Sequence, residues 1–218
     1  MVDSKITYKV VAQVLPPRRV YEFSKYVFDF SFAFIILIFI WPILIIIAIA
    51  IKISSPGPVL YRGLRTGFHG KPFYINKFRS MIVGADKFSG TTSKKDSRVT
   101  PIGRVLRKNK LDELPQLINI LKGEMSFVGP RPELPRYTER YNEKELLILS
   151  VRPGITDFSS LHFSNLNELI EDDDPDNAFE TKILMEKNRL RLKYVESRSF
   201  FVDITLIVKT TLRVLRLI

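Results

Sequence analysis

The stretch FSFAFIILIFIWPILIIIAIAI, Phe30 to Ile51, decides the architecture: 22 residues in which Ser31 carries the only hydroxyl. About 20 such residues cross the hydrocarbon core of a bilayer as a helix. The run is too long for the apolar part of a secretory signal, and no small-residue cleavage site follows it. A soluble helix apolar all round needs protein on every side, which a chain this small cannot provide. Pro42 falls near the middle, where it cannot donate to the carbonyl of Ile38 and its ring crowds that turn, so a kink is expected. Arg18, Arg19 and Lys25 precede the run; Lys52, Arg62 and Arg65 follow it. Basic flanks stay cytoplasmic, so both ends are drawn to one side. A helix that dips in and returns satisfies both features. A tilted single pass with a proline kink is the other option, and the residues alone leave both open.

Around this segment the 218-residue chain has 34 Lys+Arg against 23 Asp+Glu, a net charge of +11, no cysteine and two histidines. The length suits one domain plus an anchor. A disulfide framework, a thiol nucleophile, an iron–sulfur cluster and every cysteine-based zinc site are excluded. His69 and His162 alone argue against a histidine-rich metal centre. The positive balance calls for a polyanion: nucleic acid, an anionic membrane surface or a phosphorylated substrate. The charge is unevenly placed, with 14 bases and two acids in residues 52–110 but 11 acids and three bases in 139–180. Beside a membrane segment each such base contributes about 1 kcal/mol near anionic lipid, so surface docking is expected.

Val59–Arg62 and Phe73–Phe78 read as short strands with a glycine-bearing turn, Thr66–Gly70, between them. Helices are expected over Ser80–Phe88, Ile102–Asn109, Leu114–Lys122, Leu134–Leu149 and Asn177–Glu196, with a polar loop from Ser89 to Arg98. Ser199–Ile218 has apolar residues at helical spacing and Lys209, Arg213 and Arg216 among them, which suits a helix lying in the membrane interface.

Leu111-Asp112-Glu113-Leu114-Pro115-Gln116-Leu117 places two adjacent carboxylates ahead of a helical pattern. Asp112 has the place of an N-cap, with Pro115 in the first turn, and a plain cap is the simplest reading. The surroundings point further. Arg104, Arg107, Lys108 and Lys110 stand just upstream, and a carboxylate at a helix start among cations is held ionised, as a nucleophile or metal ligand must be. Arg131 lies between two prolines in Gly129-Pro130-Arg131-Pro132, a stiff segment that orients its guanidinium for bidentate phosphate binding, although a rigid surface turn has the same pattern. Arg79, in Lys77-Phe78-Arg79-Ser80-Met81, is a further candidate phosphate contact. There is no Gly-x-Ser-x-Gly elbow and no P-loop. Glu171-Asp172-Asp173-Asp174 lacks the spacing and glycine of a calcium loop.

Arg65-Thr66-Gly67, Lys77 to Met81, Arg98-Val99-Thr100-Pro101-Ile102-Gly103, Leu111 to Leu117, Gly123 to Pro132 and Arg152-Pro153-Gly154-Ile155-Thr156 follow one another as they do in the bacterial sugar transferases. The resemblance, to the small monotopic polyprenyl-phosphate phosphoglycosyl transferases, covers roughly Lys25 to Val214. It implies transfer of a sugar-1-phosphate from a UDP-sugar to undecaprenyl phosphate with Mg²⁺ and release of UMP, the first membrane step of polysaccharide or glycoconjugate assembly. It implies Asp112 as the nucleophile that carries the phosphosugar, Glu113 as its assisting carboxylate, and Arg107 and Arg131 as phosphate contacts; Lys77 and Arg79, at the end of the second strand, are further candidate phosphate contacts, and Asp112 is the candidate metal ligand. It favours the re-entrant helix broken at Pro42. The implied fold is α/β and mostly helical. Residues 1–25 form an N-terminal segment, 26–52 the re-entrant membrane helix, 53–198 a cytoplasmic catalytic domain with a few short strands, and 199–218 an interfacial amphipathic helix. The expected location is the cytoplasmic face of the bacterial inner membrane, on anionic lipids. No nucleic acid partner is expected, and a homodimer is among the open assembly states.

One position and one short stretch depart from the family pattern. Trp41 precedes Pro42 where many members have Ser, and Asp157-Phe158-Ser159-Ser160 replaces a small-residue stretch, so the sugar cannot be carried over. Two other classes compete: a membrane-tethered nucleic-acid binder using the basic block, and a membrane adaptor docking through its Pro-Arg-Pro turn.

Overall fold

The computed structural model describes residues 18–85, 96–164 and 175–217. Over the described residues the chain is mostly helical, with two small two-stranded sheets. The acidic run at 171–174 and most of the expected loop from Ser89 lie outside the described residues.

Helix α1, Arg19–Ser54, runs without interruption through Pro42, so the break expected there is not an end of the helix. At about 1.5 Å per residue it is ~54 Å long, well beyond a ~30 Å hydrocarbon core. One stripe of it is packed on the rest of the protein along its length. Ala33, Ile36, Leu37 and Ile40 meet Phe73, Ile75, Leu117, Ile120 and Met125. Leu44, Ile47, Ala48 and Ile51 meet Phe78 and Leu106. The three- and four-residue steps are those of one helix face. The opposite face, with Phe34, Ile38, Phe39, Trp41, Ile46 and Ile49, is exposed and apolar from Phe34 on. Both ends of α1 are also tied down by polar contacts. Lys25 Nζ lies 2.8 Å from Asp203 Oδ2, and the Tyr21 hydroxyl donates to the same oxygen at 2.7 Å. At the other end Arg79 donates to Ser55 O at 2.7 Å and Pro56 O at 2.8 Å, just past the helix terminus.

Strands β1 (Leu60–Thr66) and β2 (Pro72–Phe78) form an antiparallel hairpin in register from Leu60↔Phe78 to Thr66↔Pro72. The helix expected from Ser80 does not form over its described part, because Met81 bridges Val99 instead. Thr100 then caps α2 (Pro101–Lys108) by accepting from Gly103 N. Gly103 sits against the backbone of Ser80, whose carbonyl oxygen would be 1.9 Å from an added Cβ. A 3₁₀ turn, Leu111–Glu113, leads into α3, Gln116–Leu121.

Strands β3 (Ser126–Val128) and β4 (Gly154–Thr156) pair in parallel. They are too short for any periodicity to announce them. Gly129, just past β3, meets Gly154, the first residue of β4, so closely that a Cβ on Gly154 would fall 2.1 Å from Gly129 N. The long helix expected over Leu134–Leu149 is instead α4 (Pro135–Thr138), α5 (Glu143–Leu146) and a 3₁₀ turn, Leu147–Ser150. The restart has a local cause, since Asn142 and Glu145 form a reciprocal capping box. Helices α6 (Phe158–His162), α7 (Pro175–Ala178), a π segment (Phe179–Ile183), α8 (Leu184–Ser197) and α9 (Phe200–Val214) complete the described chain. Helix α9 is capped by Ser199 and exposes Phe201, Ile204 and Val208, in keeping with the amphipathic pattern.

Next to the Pro-Arg-Pro segment, Glu133 is held between Lys187 Nζ (3.3 Å) and Arg191, whose side chain is fully buried. Burial alone would raise the Glu133 pKa, but Lys187 and Arg191 outweigh it and hold it down to about 2. A depressed acid contributes stability above its ordinary value of 4.5, and that stability is lost as pH falls from there toward 2. Glu133→Gln leaves two buried cations uncompensated and should cost about 3–5 kcal/mol at neutral pH. Denaturant unfolding in detergent measures this, and a loss under about 1 kcal/mol would show the pair to be dispensable.

Candidate active site

The dyad is positioned by a reversal of the backbone. Helix α2 ends at Lys108, and Lys110 adopts the left-handed region at φ 56°, which turns the chain into the 3₁₀ turn carrying Asp112 and Glu113. Asp112 is therefore not the N-cap of the following helix. That helix starts after Pro115 with no side-chain cap, and the Asp112 carboxylate is left for another purpose. Strand β2 supplies Lys77 and the segment after β3 supplies Arg131, and the two converge on the second carboxylate. Lys77 Nζ lies 2.9 Å from Glu113 Oε1, and Arg131 Nη2 pairs with the same oxygen. Arg131 also donates to Ile155 O at 2.9 Å through Nη1, so its fork spans β4 and the dyad.

The two carboxylates are electrostatically unlike. Burial would raise Glu113, but Arg131 and Lys77 dominate and hold it well below the usual carboxylate range. Asp112 is 6% exposed and is shifted upward, first by that burial and further by the Glu113 charge, against the pull of Lys77, Arg107 and Lys110. This corrects the expectation that the upstream cations dominate at Asp112. Desolvation is the larger effect, because Lys77 and Arg131 are bonded to the neighbouring carboxylate. The site thus holds one locked anion beside one carboxylate that takes a proton more readily.

Arg107, in the last turn of α2, acts on Asp112 through its charge while its Nε donates to Ser80 Oγ at 2.9 Å. Arg79 is not brought to the dyad by any of its hydrogen bonds. Its guanidinium closes the C-terminal end of α1, so its contacts are those of a structural cap. Asp157, which the sequence marks only as the first residue of a stretch that departs from the family pattern, is fully buried beside the site. Oδ2 accepts from Arg131 N at 3.4 Å and Oδ1 from Ser160 N at 2.6 Å, capping α6. A signal is present, since an Asp one residue ahead of Phe158-Ser159-Ser160 is a cap pattern, but nothing in the sequence links it to Arg131. Gln116, the first residue of α3, is completely buried, and neither of its amide atoms has a hydrogen-bond partner among the described residues.

With Lys77 removed, Asp112 loses its strongest opposing cation, so its pKa should move further up. The acid limb of the pH–activity profile of Lys77→Met should therefore lie at higher pH than in the wild type. An unmoved limb would show that Asp112 does not set it.

Residues 20–217 match the family model described as bacterial sugar transferase. The chain is 38% identical over 159 residues to the uncharacterized sugar transferase EpsL of Bacillus subtilis, covering 72% of this chain and 70% of that protein. It is 46% identical over 114 residues to the UDP-glucose:undecaprenyl-phosphate glucose-1-phosphate transferase of Escherichia coli, covering 50% of this chain but 25% of that protein. A galactose phosphotransferase acting on undecaprenyl phosphate, from Salmonella typhimurium, is 34% identical over 176 residues, covering 73% of this chain and 34% of the relative. The chain therefore spans most of one relative and about a third or less of the two longer ones. With the family model matching nearly end to end, the chain belongs to the bacterial sugar transferase family.

Proposed function

We propose that this protein transfers a sugar-1-phosphate from a UDP-sugar to undecaprenyl phosphate by double displacement at Asp112, at the cytoplasmic face of a bacterial inner membrane. The observation that carries the reading is the unequal pair, Asp112 beside a Glu113 that is locked by Lys77 and Arg131. In the first step an Asp112 carboxylate oxygen attacks the phosphorus that bears the sugar, the bond to the UMP oxygen breaks, and UMP leaves. In the second, a phosphate oxygen of the acceptor attacks that phosphorus and the Asp112 carboxylate departs unchanged. The covalent link lets a water-soluble donor and a membrane-bound acceptor use one site in turn.

In this reading the diphosphate lies against Arg131 and Lys77, the two cations that meet at Glu113, and Arg107 adds a third positive charge. Mg²⁺ suits the oxygen-only donor set, since it is commonly held by one or two carboxylates together with substrate phosphates. Among the described residues no group of three or more His, Cys, Asp or Glu forms. Asp112 is the residue that would hold the ion. When bound, the ion supplies charge neutralisation of the diphosphate.

The test is direct. Purified protein in detergent, with Mg²⁺, undecaprenyl phosphate and a panel of UDP-sugars, should release UMP with one or more of them. Silence across the panel would overturn the reading.

The topology belongs to the same proposal. A stripe of α1 rests on the domain both before and after Pro42, and both ends of the helix are held by it. A helix so held keeps both ends on the domain's side of the membrane. Single cysteines at the exposed positions Arg19 and Lys144 should both resist an impermeant thiol reagent in intact cells and react after permeabilisation. Labelling of position 19 alone in intact cells would mean that α1 spans the membrane.

A further inference from the structure

Helix α9 forms one wall of an open groove of about 410 Å³ that the dyad does not use. Phe158 and Leu161 of α6 face it from one side, Leu190 of α8 from another, and Phe201, Thr205 and Lys209 of α9 complete the lining. Most of the surface is apolar. The cations are gathered at one end, where Lys209 and Arg213 stand one turn apart. Both are exposed: Lys209 forms no ion pair among the described residues, and Arg213 donates through Nη1 to Leu161 O at 2.6 Å and Ser164 Oγ at 3.2 Å, bonds that hold its guanidinium at the α6 side of the groove and do not use Nε or Nη2. The other end opens beside Phe201, which is 82% exposed on the apolar face of α9. A hydrocarbon chain can thus enter from a membrane on which α9 lies, and an anionic head can stop at the cations.

The basic end is also the end tied to the catalytic segment. Thr210 Oγ1 lies 2.6 Å from Thr156 Oγ1 at the end of β4. The next residue, Asp157, accepts from the backbone of Arg131 and caps α6. The groove wall and the dyad's arginine are therefore positioned by one short stretch of chain. Charge decides between classes of lipid. A terminal phosphate monoester carries about −1.5 to −2 at neutral pH, which matches two cations, whereas a phospholipid diester carries a single charge.

We propose that the groove between α6 and α9 binds the acceptor lipid, with its isoprenoid chain along Phe158, Leu161, Leu190 and Phe201 and its phosphate monoester at Lys209 and Arg213. This site rests on the transferase reading above. The experiment that separates the two is photolabelling, which needs no turnover. A farnesyl-length phosphate bearing a terminal benzophenone should label peptides from α6 and α9 of the full chain in detergent. Undecaprenyl phosphate should suppress the labelling, and phosphatidylglycerol at the same concentration should not. Lys209→Glu, a surface change compatible with folding, should cut labelling about tenfold and raise the KM for undecaprenyl phosphate by a similar factor while leaving that for the UDP-sugar unchanged. Thr205→Trp, which fills the groove without altering charge, should do the same.

Equal competition by phosphatidylglycerol would make this a site for bulk lipid and overturn the proposal. Labelling confined to other segments, or normal acceptor kinetics in both variants, would overturn it too. If instead the wild type releases no UMP with any donor, the transferase reading fails, and the labelling pattern still reports whether the groove holds a lipid phosphate.

Discussion

Asp112→Asn should abolish turnover, a fall of at least ~10⁴-fold, and should leave no covalent phosphosugar on the protein. The amide is nearly isosteric but cannot act as the attacking oxygen. Asp112 sits in a 3₁₀ turn that does not depend on its side chain for a cap, so the variant should keep its fold. Replacing a buried carboxylate that is already shifted toward protonation should cost little stability, because a neutral group is tolerated there. Glu113→Gln should behave differently. It removes the partner of Lys77 and Arg131, so both steps should slow, yet the nucleophile remains and some adduct should still form. Incubation with radiolabelled UDP-sugar without acceptor, followed by denaturing electrophoresis, distinguishes the two variants. A labelled band from Asp112→Asn would move the nucleophile elsewhere.

The dyad and its cations are largely legible in the amino-acid sequence, and the reason is local. Adjacent carboxylates, their upstream cations and the Pro-Arg-Pro segment are contiguous patterns whose chemistry does not depend on long-range packing. The apolar run is legible for the same reason, since composition alone marks a membrane helix. A linear pattern does not show which partner each charge takes. Arg79 and Lys77 stand two positions apart at the end of one strand and read as equivalent, yet the chain leaves the strand between them and sends them to different places. Lys77 reaches Glu113, and Arg79 reaches the terminus of α1. The upward shift of Asp112 is equally hidden, because it arises from burial that only the tertiary fold creates. Strands β3 and β4, at three residues each, carry no periodic signal, although Gly129 after β3 and Gly154 at the start of β4 mark the place. Gly129 and Gly154 approach so closely that no side chain fits between them, and that approach brings Arg131 to Ile155.

Arg131→Lys should lower activity by on the order of 10²–10³-fold, the range seen when one donor to a developing charge is removed. The lysine keeps the charge, so a purely electrostatic role would predict near-normal kinetics. Arg131, however, makes two directional bonds at once: Nη1 donates to Ile155 O at 2.9 Å while Nη2 pairs with Glu113. A single ammonium cannot hold both from one stem, and an ammonium is a point charge without the planar fork that meets phosphate bidentately. Without the hydrogen bond to Ile155 O to fix the guanidinium's replacement, Glu113 would rely on Lys77 alone and its carboxylate would be free to rotate toward Asp112. Two like charges brought closer should raise the Asp112 pKa further, because the Glu113 charge already acts in that direction. The variant should therefore combine a low kcat with an acid limb displaced to higher pH. Raising the pH should recover only part of the activity, since the missing fork is not titratable. Full recovery at high pH would assign Arg131 to holding Glu113 alone. Near-wild-type kinetics at every pH would reduce the Pro-Arg-Pro segment to a rigid turn.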